Sequence, residues 1–262
     1  METFPDPHIA DVAQEYTKKG LKDADIQTLQ DVVGNDAARF RRLAQRRLFG
    51  EPFAYIFNKA DFLGHSLYVD RRVYIPNQET EKMVRAVIET MPDDATVVDV
   101  GCGSGAIASA IKLAKPHAKV FAVDIDPRTL DVARLNAQNL GASVECMESY
   151  YVDDLYIASP DFCIADLPYG DKHTILDTNV PQEIPHLPPT SFWHPLGTLN
   201  AYQELIQSIA RKKWSTTLFF ETGKVDGECV SAIIPQYLRW EYIRTDPAYS
   251  YTKVYFTGVS EQ

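Results

Sequence analysis

The chain has 262 residues, of which 45% are hydrophobic and 24% charged, and its 36 acidic against 26 basic side chains leave a formal net charge of −10. This is ordinary globular composition, with length enough to bury a core without disulfides. The acid excess argues against non-specific nucleic-acid binding and against docking on anionic membranes, both of which need many Lys/Arg contacts.

The amino-terminal residues lack a basic segment followed by an apolar run, so no secretory signal is expected. No apolar stretch approaches the ~20 residues that a bilayer requires. Cys102, Cys146, Cys163 and Cys229 are scattered, with neither CxxC nor His pairing. That pattern points to a reducing, cytoplasmic setting and away from a zinc site.

Residues 7–49 read as helices. Ile9, Val12, Ala13 and Tyr16 have helical spacing; Leu29, Val32 and Val33 close a second helix before Gly34-Asn35; Phe40, Leu43, Ala44 and Leu48 line a third. The opposite face of the third carries Arg39, Arg41, Arg42, Arg46 and Arg47, either a solvated face or a docking patch for an acidic partner. Gly50-Glu51-Pro52 ends the helices. The β-rich runs Phe53–Phe57 and Ser66–Ile75, with Gly64 between them, predict a hairpin closed by Pro76. A helix follows from about Glu79. The expected organisation is a helical domain over 1–52, a β-hairpin linker over 53–76 and a larger domain over 77–262. The first 80 residues hold 11 basic and 12 acidic side chains, so −9 of the net charge lies in the remainder.

From about residue 95 strands and helices alternate. Strands are predicted at 96–100, 120–124, 162–165 and 217–221, with helices at 107–113, 130–140 and 202–212 between them. Repeated β-α units specify a parallel sheet covered by helices on both faces. The β-rich run 251–256 is expected as an edge strand.

Two segments carry chemistry. In Val97-Val98-Asp99-Val100-Gly101-Cys102-Gly103-Ser104-Gly105-Ala106 an apolar strand runs into a glycine loop that opens a helix. Glycines there let backbone approach a ligand closely. Asp124 ends the next strand, where a carboxylate accepts both hydroxyls of a ribose. The GxGxG spacing and Asp124 are similar to the S-adenosylmethionine (SAM) site of class I methyltransferases, in which Asp99 corresponds to an acidic residue facing the methionine end. The second segment is Asp161-Phe162-Cys163-Ile164-Ala165-Asp166-Leu167-Pro168-Tyr169. It resembles the (Asn/Asp)-Pro-Pro-(Tyr/Phe) signature of methyltransferases acting on planar nitrogens. The carboxylate accepts from the target N–H and aims the nitrogen at the methyl carbon. The aromatic ring stacks on the planar group or the donor's cation. Asp-x-Pro-Tyr also fits DNA adenine methyltransferases locally, but the charge and the lack of a basic recognition region argue against them.

The whole chain resembles the HemK/PrmC family, protein-(glutamine-N5) methyltransferases acting on peptide chain release factors. The resemblance rests on Arg46-Arg47-Leu48-Phe49-Gly50-Glu51-Pro52-Phe53-Ala54-Tyr55-Ile56, on Ile75-Pro76-Asn77-Gln78-Glu79-Thr80-Glu81, on the glycine loop, on Asp124-Ile125-Asp126, on Ala133-Arg134-Leu135-Asn136-Ala137 and on Phe219-Phe220-Glu221-Thr222-Gly223. It implies a Rossmann-like α/β domain with a seven-stranded mixed sheet, preceded by a small helical bundle and a β-hairpin linker. It further implies SAM as cofactor, with S-adenosylhomocysteine as product. The expected cofactor set is Asp99, Gly101, Cys102, Gly103, Gly105, Asp124, Ile125 and Asp166, with Tyr150 or Tyr151 beside the adenine. Asp166, Pro168 and Tyr169 take the substrate-gripping positions.

Departures cluster at these positions. Asp166 replaces the family's Asn, Leu167 its first Pro, and Asn77-Gln78 its Arg-Pro. Residues 170–198, which include Trp193, do not follow the family pattern. An ionised Asp only accepts hydrogen bonds, whereas Asn both donates and accepts. Asp therefore suits a cationic amine or guanidinium, and an arginine-like small molecule is the expected acceptor. The alternatives are the family's release-factor glutamine and a SAM-binding paralogue that no longer catalyses. Glu221 is a possible substrate contact. His173, His186 and His194 read as loop residues rather than metal ligands.

Overall fold

The computed structural model describes residues 8–168, 183–192, 199–247 and 249–258. Two compact units divide between Asn58 and Lys59, the first also taking residues 179–186.

The first unit contains α1 (Ile9–Lys18), α2 (Asp23–Val33), α3 (Ala37–Leu48) and α4 (Phe53–Phe57). Val12, Tyr16, Leu29, Phe40, Leu43 and Ile56 form its core. Asp36 caps α3 by accepting from Arg39 N at 2.7 Å. The arginine face of α3 is mostly internal wiring. Arg46 makes a two-pronged pair with the buried Glu51 at 2.6 and 2.8 Å, and Arg47 reaches Asp25 at 3.0 Å and Glu183 at 2.7 Å. Arg41 pairs with Glu15 at 3.3 Å.

Phe53–Phe57 is a helix, not the predicted strand. Pro52 presets the first turn, and its carbonyl accepts from Tyr55 N and Ile56 N, both at 3.0 Å. The carbonyls of Tyr55 and Ile56 are taken by the Arg46 guanidinium at 3.0 and 3.4 Å, so no neighbouring strand is needed. Arg46→Ala strips the partner from buried Glu51 and from both carbonyls. We expect a loss of about 2 kcal/mol, below the range for fully buried pairs because Arg46 is itself partly exposed. A lower urea midpoint checks it.

The second unit opens with the hairpin β1 (Ala60–Phe62) and β2 (His65–Leu67), shorter than expected and turned at Leu63-Gly64. Then follow α5 (Thr80–Thr90), β3 (Thr96–Val100), α6 (Ala106–Ala114), β4 (Lys119–Asp124), α7 (Pro127–Leu140), β5 (Val144–Glu148), β6 (Phe162–Ala165), α8 (Asn200–Lys212), β7 (Ser215–Glu221), α9 (Gly227–Ser231), β8 (Arg239–Asp246) and β9 (Tyr249–Thr257). Seven strands form one sheet in the order β5-β4-β3-β6-β7-β9-β8, parallel except for the antiparallel β9 and β8. The run 251–256 is thus not an edge strand. β9 pairs with β7 on one side and β8 on the other, and β8 forms the edge.

Strand alternation divides the core between the two faces. Val97, Ile164 and Phe219 pack with Met83, Val84 and Val87 of α5 and Ile107 and Ile111 of α6. Val98, Ala165 and Phe220 pack with Tyr202, Leu205 and Ile209 of α8 on the other face.

Candidate active site

The loop after β3 is held from below. Gly101 N and Cys102 N both donate to Val123 O, at 2.8 and 2.9 Å, which ties the loop to the end of β4. Gly101, Gly103 and Gly105 all have φ between +53° and +76°, the left-handed region that favours glycine. A Cβ on Gly105 would lie 3.1 Å from the Ala133 backbone, so that glycine permits close packing of α6 on α7. At Gly103 a Cβ would meet nothing within 4 Å, so its face of the loop is bare.

Asp124 ends β4 beside this bare backbone. Its Oδ2 accepts from Gly103 N and its Oδ1 from Asp126 N, both at 3.1 Å. Burial raises its pKa above the usual carboxylate value, against the lowering effect of these contacts. Ile125 N also favours the ionised form, and a carboxylate with about four acceptor sites keeps capacity for a ribose hydroxyl. Ile125 next to it is 57% exposed. Together, the open Gly103 face and the Asp124 carboxylate fit the ribose end of SAM. Beyond β5, Tyr150 is 47% exposed, and its hydroxyl donates to Glu204 at 2.6 Å. Tyr151, at φ +51°, donates to the same carboxylate at 3.1 Å.

The side chains of Asp99 and Cys102 are buried beneath the loop. Asp99 is 1% exposed and turned into the first turns of α6, where its carboxylate accepts from Ala108 N at 3.0 Å. Burial pushes it up to about 7. Alternation along β3 explains this placement, because Val98 and Val100 occupy the opposite face. In this structure its carboxylate braces the start of α6. The Cys102 side chain is buried, so only its backbone borders the loop surface.

Asp166 follows β6. Ala165 is in register with Phe220 of β7, so the next residues, Asp166 and Glu221, leave adjacent strand ends on the α5 face. Thr80, in the first turn of α5, lies between them. Its Oγ1 is 2.9 Å from Asp166 Oδ2 and 2.7 Å from Glu221 Oε2. Tyr249 OH donates to the same Glu221 oxygen at 3.2 Å. Burial raises Asp166 to about 6, against the lowering Thr80 contact. Burial first, and then the negative charge of Asp166, raise Glu221 to about 8.

Leu167 and Pro168 continue from Asp166. Leu167 N donates to the buried Tyr202 hydroxyl at 3.0 Å, and that hydroxyl lies 3.3 Å from Leu167 O. The Leu167 side chain is packed so closely beneath the glycine loop that a Cβ on Gly101 would come within 2.6 Å of its Cδ2. The two sequence segments thus meet side by side. Tyr202→Phe leaves the buried Leu167 N–H unpaired. We expect a loss of about 1–3 kcal/mol in stability, measurable by thermal or urea unfolding, and a lower methyl-transfer rate.

Tyr169, His173, Trp193 and His194 lie outside the described residues. His186 Nε2 is 2.9 Å from Phe49 O. Among the described residues no His/Cys/Asp/Glu cluster is arranged to hold a metal ion, and no helix is long and apolar enough to cross a membrane. Thr80, Tyr202 and Tyr249 were missed from the sequence. Thr80 lies within the Glu-Thr-Glu string already matched to the family; Tyr202 and Tyr249 leave no local signal. Asn77, in place of the family's Arg, accepts from Glu79 N at 3.0 Å and starts α5. Asn136 is buried and ties Tyr68 O to Ser104 O, each at 2.9 Å.

The methyltransferase small domain family (MTS) matches residues 76–184. A release factor glutamine methyltransferase of Neisseria gonorrhoeae is 38% identical over 168 residues, which is 61% of this chain and 59% of that protein. Those of Enterococcus faecalis and Streptococcus pneumoniae are 35% identical over 193 residues and 30% over 221, covering 71% and 82% of this chain and 69% and 78% of those proteins. Among solved structures, the hMettl16 catalytic domain in complex with an RNA hairpin superposes with a TM-score of 0.56 at 13% identity, covering 98% of this chain and 94% of that one. A ribosomal protein L11 methylase of Lactobacillus delbrueckii gives 0.51 at 16% identity, covering 70% and 80%. These two share the fold. The sequence relatives, matched over more than two thirds of the Enterococcus and Streptococcus proteins, place the chain in the release factor glutamine methyltransferase (HemK/PrmC) family of class I SAM-dependent methyltransferases.

Proposed function

We propose that this protein transfers a methyl group from SAM to the side-chain nitrogen of a glutamine in a peptide chain release factor. The observation that carries this reading is the name shared by its relatives over most of their length. The cationic, arginine-like acceptor expected from Asp166 finds no support among those relatives. Its chemical premise also weakens, because a glutamine amide offers two N–H donors. Asp166 accepts one of them without needing a donor of its own.

In this reading the backbone of Gly101, Cys102, Gly103 and Gly105 borders the cofactor, Asp124 accepts its ribose hydroxyls, and Ile125 with Tyr150 or Tyr151 flanks its adenine. SAM supplies an electrophilic methyl group on a sulfonium. The protein's own contribution is to bind and orient. Asp166 accepts an N–H of the acceptor and aims its nitrogen. Tyr202 fixes the main chain of Leu167, and the Pro168 ring fixes its own backbone φ. Tyr169 takes the stacking position of the family motif.

Incubation with a release factor and methyl-labelled SAM, followed by mass spectrometry of the labelled peptide, tests the proposal. Label on a glutamine is the expected result. Label only on amines or guanidines would return the acceptor to the cationic class. No turnover with any acceptor would identify a SAM-binding paralogue.

A further inference from the structure

Thr80 Oγ1 touches two carboxyl groups, Asp166 at 2.9 Å and Glu221 at 2.7 Å. A threonine hydroxyl has one proton to donate. Two carboxylates on one hydroxyl oxygen would need two. One of these contacts is therefore satisfied by a carboxylic acid O–H donating to Thr80.

Among the described residues no cation pairs with either carboxyl to stabilise a second negative charge. Among the described residues neither carboxyl makes a salt bridge. Tyr249 donates to Glu221 as a neutral phenol. The phenol of Tyr74 is held neutral first by burial and then by the negative potential of the Asp166–Glu221 pair. Glu79 adds negative potential at Glu221, and Asp99 and Asp166 oppose each other's ionisation. Lys82 on α5 is engaged by Glu79 and Asp246. The location of the proton follows from burial. Glu221 is 1% exposed, whereas Asp166 is half-buried at its strand end. The more deeply buried group keeps the neutral form.

We propose that Asp166, Thr80 and Glu221 share a single proton at neutral pH, carried by Glu221, and that Thr80 and Glu221 are positioning residues that present Asp166 to the acceptor as a lone carboxylate. The proton chain runs from the Tyr249 hydroxyl to Glu221, from Glu221 to Thr80, and from Thr80 to Asp166. Asp166 Oδ1, without a partner among the described residues, is left to face the acceptor. The catalytic part rests on the methyltransferase reading above. When the acceptor nitrogen forms its bond to the methyl carbon, the sulfur keeps the electrons of the broken S–C bond. The nitrogen gives up one proton to solvent, while the Asp166 carboxylate holds that nitrogen in line.

Carbon-13 NMR of the full chain, labelled at Asp Cγ and Glu Cδ and assigned with Asp166→Asn and Glu221→Gln, reads the proton directly and needs no acceptor. At neutral pH Glu221 should show the shift of a neutral acid and titrate only on raising the pH. Asp166 should show a carboxylate shift and titrate on lowering it. Thr80→Val should move the Asp166 step upward and Thr80→Ser should restore it, with folding checked by circular dichroism. In kcat profiles Glu221→Gln should lose the alkaline limb. Two carboxylate shifts at neutral pH, or titrations indifferent to Thr80→Val, would overturn the shared proton. A correct titration without methyl transfer to a release factor would instead count against the acceptor alone.

Discussion

Asp166→Ala is expected to lower kcat/KM for a release-factor glutamine by about 100-fold or more, whereas Asp166→Asn should raise it. The alanine removes the acceptor at the end of β6 and leaves the nitrogen unaimed, a misplacement that costs about 100-fold. Asparagine retains an acceptor oxygen, adds a donor for the amide carbonyl and restores the family's residue. The pH dependence gives a second reading. Asp166 accepts only when ionised, and burial raises its pKa to about 6. The wild-type rate should therefore fall as pH drops through that value, and Asp166→Asn should abolish this limb. Loss of activity in Asp166→Asn, with the fold intact and activity on guanidines in the wild type, would favour the cationic acceptor.

Asp124→Ala should weaken SAM binding by about 100-fold or more in calorimetry. Each hydrogen bond to a charged acceptor contributes about 1.5–3 kcal/mol, and two ribose hydroxyls are involved. The same substitution releases Gly103 N and Asp126 N, so the loop loses one of its ties to β4 as well. Asp124→Asn should fall between the two, since it keeps the shape but not the charge. Gly103→Ala separates binding from folding. Its Cβ meets nothing in the protein, so stability should drop only by the roughly 1–2 kcal/mol of a left-handed residue. Affinity should fall further, because the methyl group would stand on the bare face offered to the cofactor. Near-native affinity in Asp124→Ala would remove the ribose from this strand end.

Much of the catalytic unit is legible locally. The run Thr96–Val100 is apolar and β-branched, the glycines follow at once, and Asp124 ends the next such run. Each signal is contiguous, so strand, loop and helix can be placed without knowing what they pack against. Phe53–Phe57 shows the limit of that method. Its aromatic and aliphatic residues favour a strand, but the Arg46 guanidinium satisfies its carbonyls and makes a helix sufficient. The arginine face of α3 offered two readings, and Glu15, Glu51, Asp25 and Glu183 account for three of its five members as internal partners.

By itself the sequence determined the family, the α/β alternation, the glycine loop and the position of Asp166 at a strand end, because these depend on residue types within a few positions of one another. Only the tertiary structure decided what Asp166 is. Strand register brings Glu221 beside it from 55 residues away, and α5 brings Thr80 from 86 residues away in the other direction. Two carboxyls around one hydroxyl, shielded from water, change which protonation state is stable. That charge state, on which the choice of acceptor turns, belongs to the packing and to no one segment of the chain.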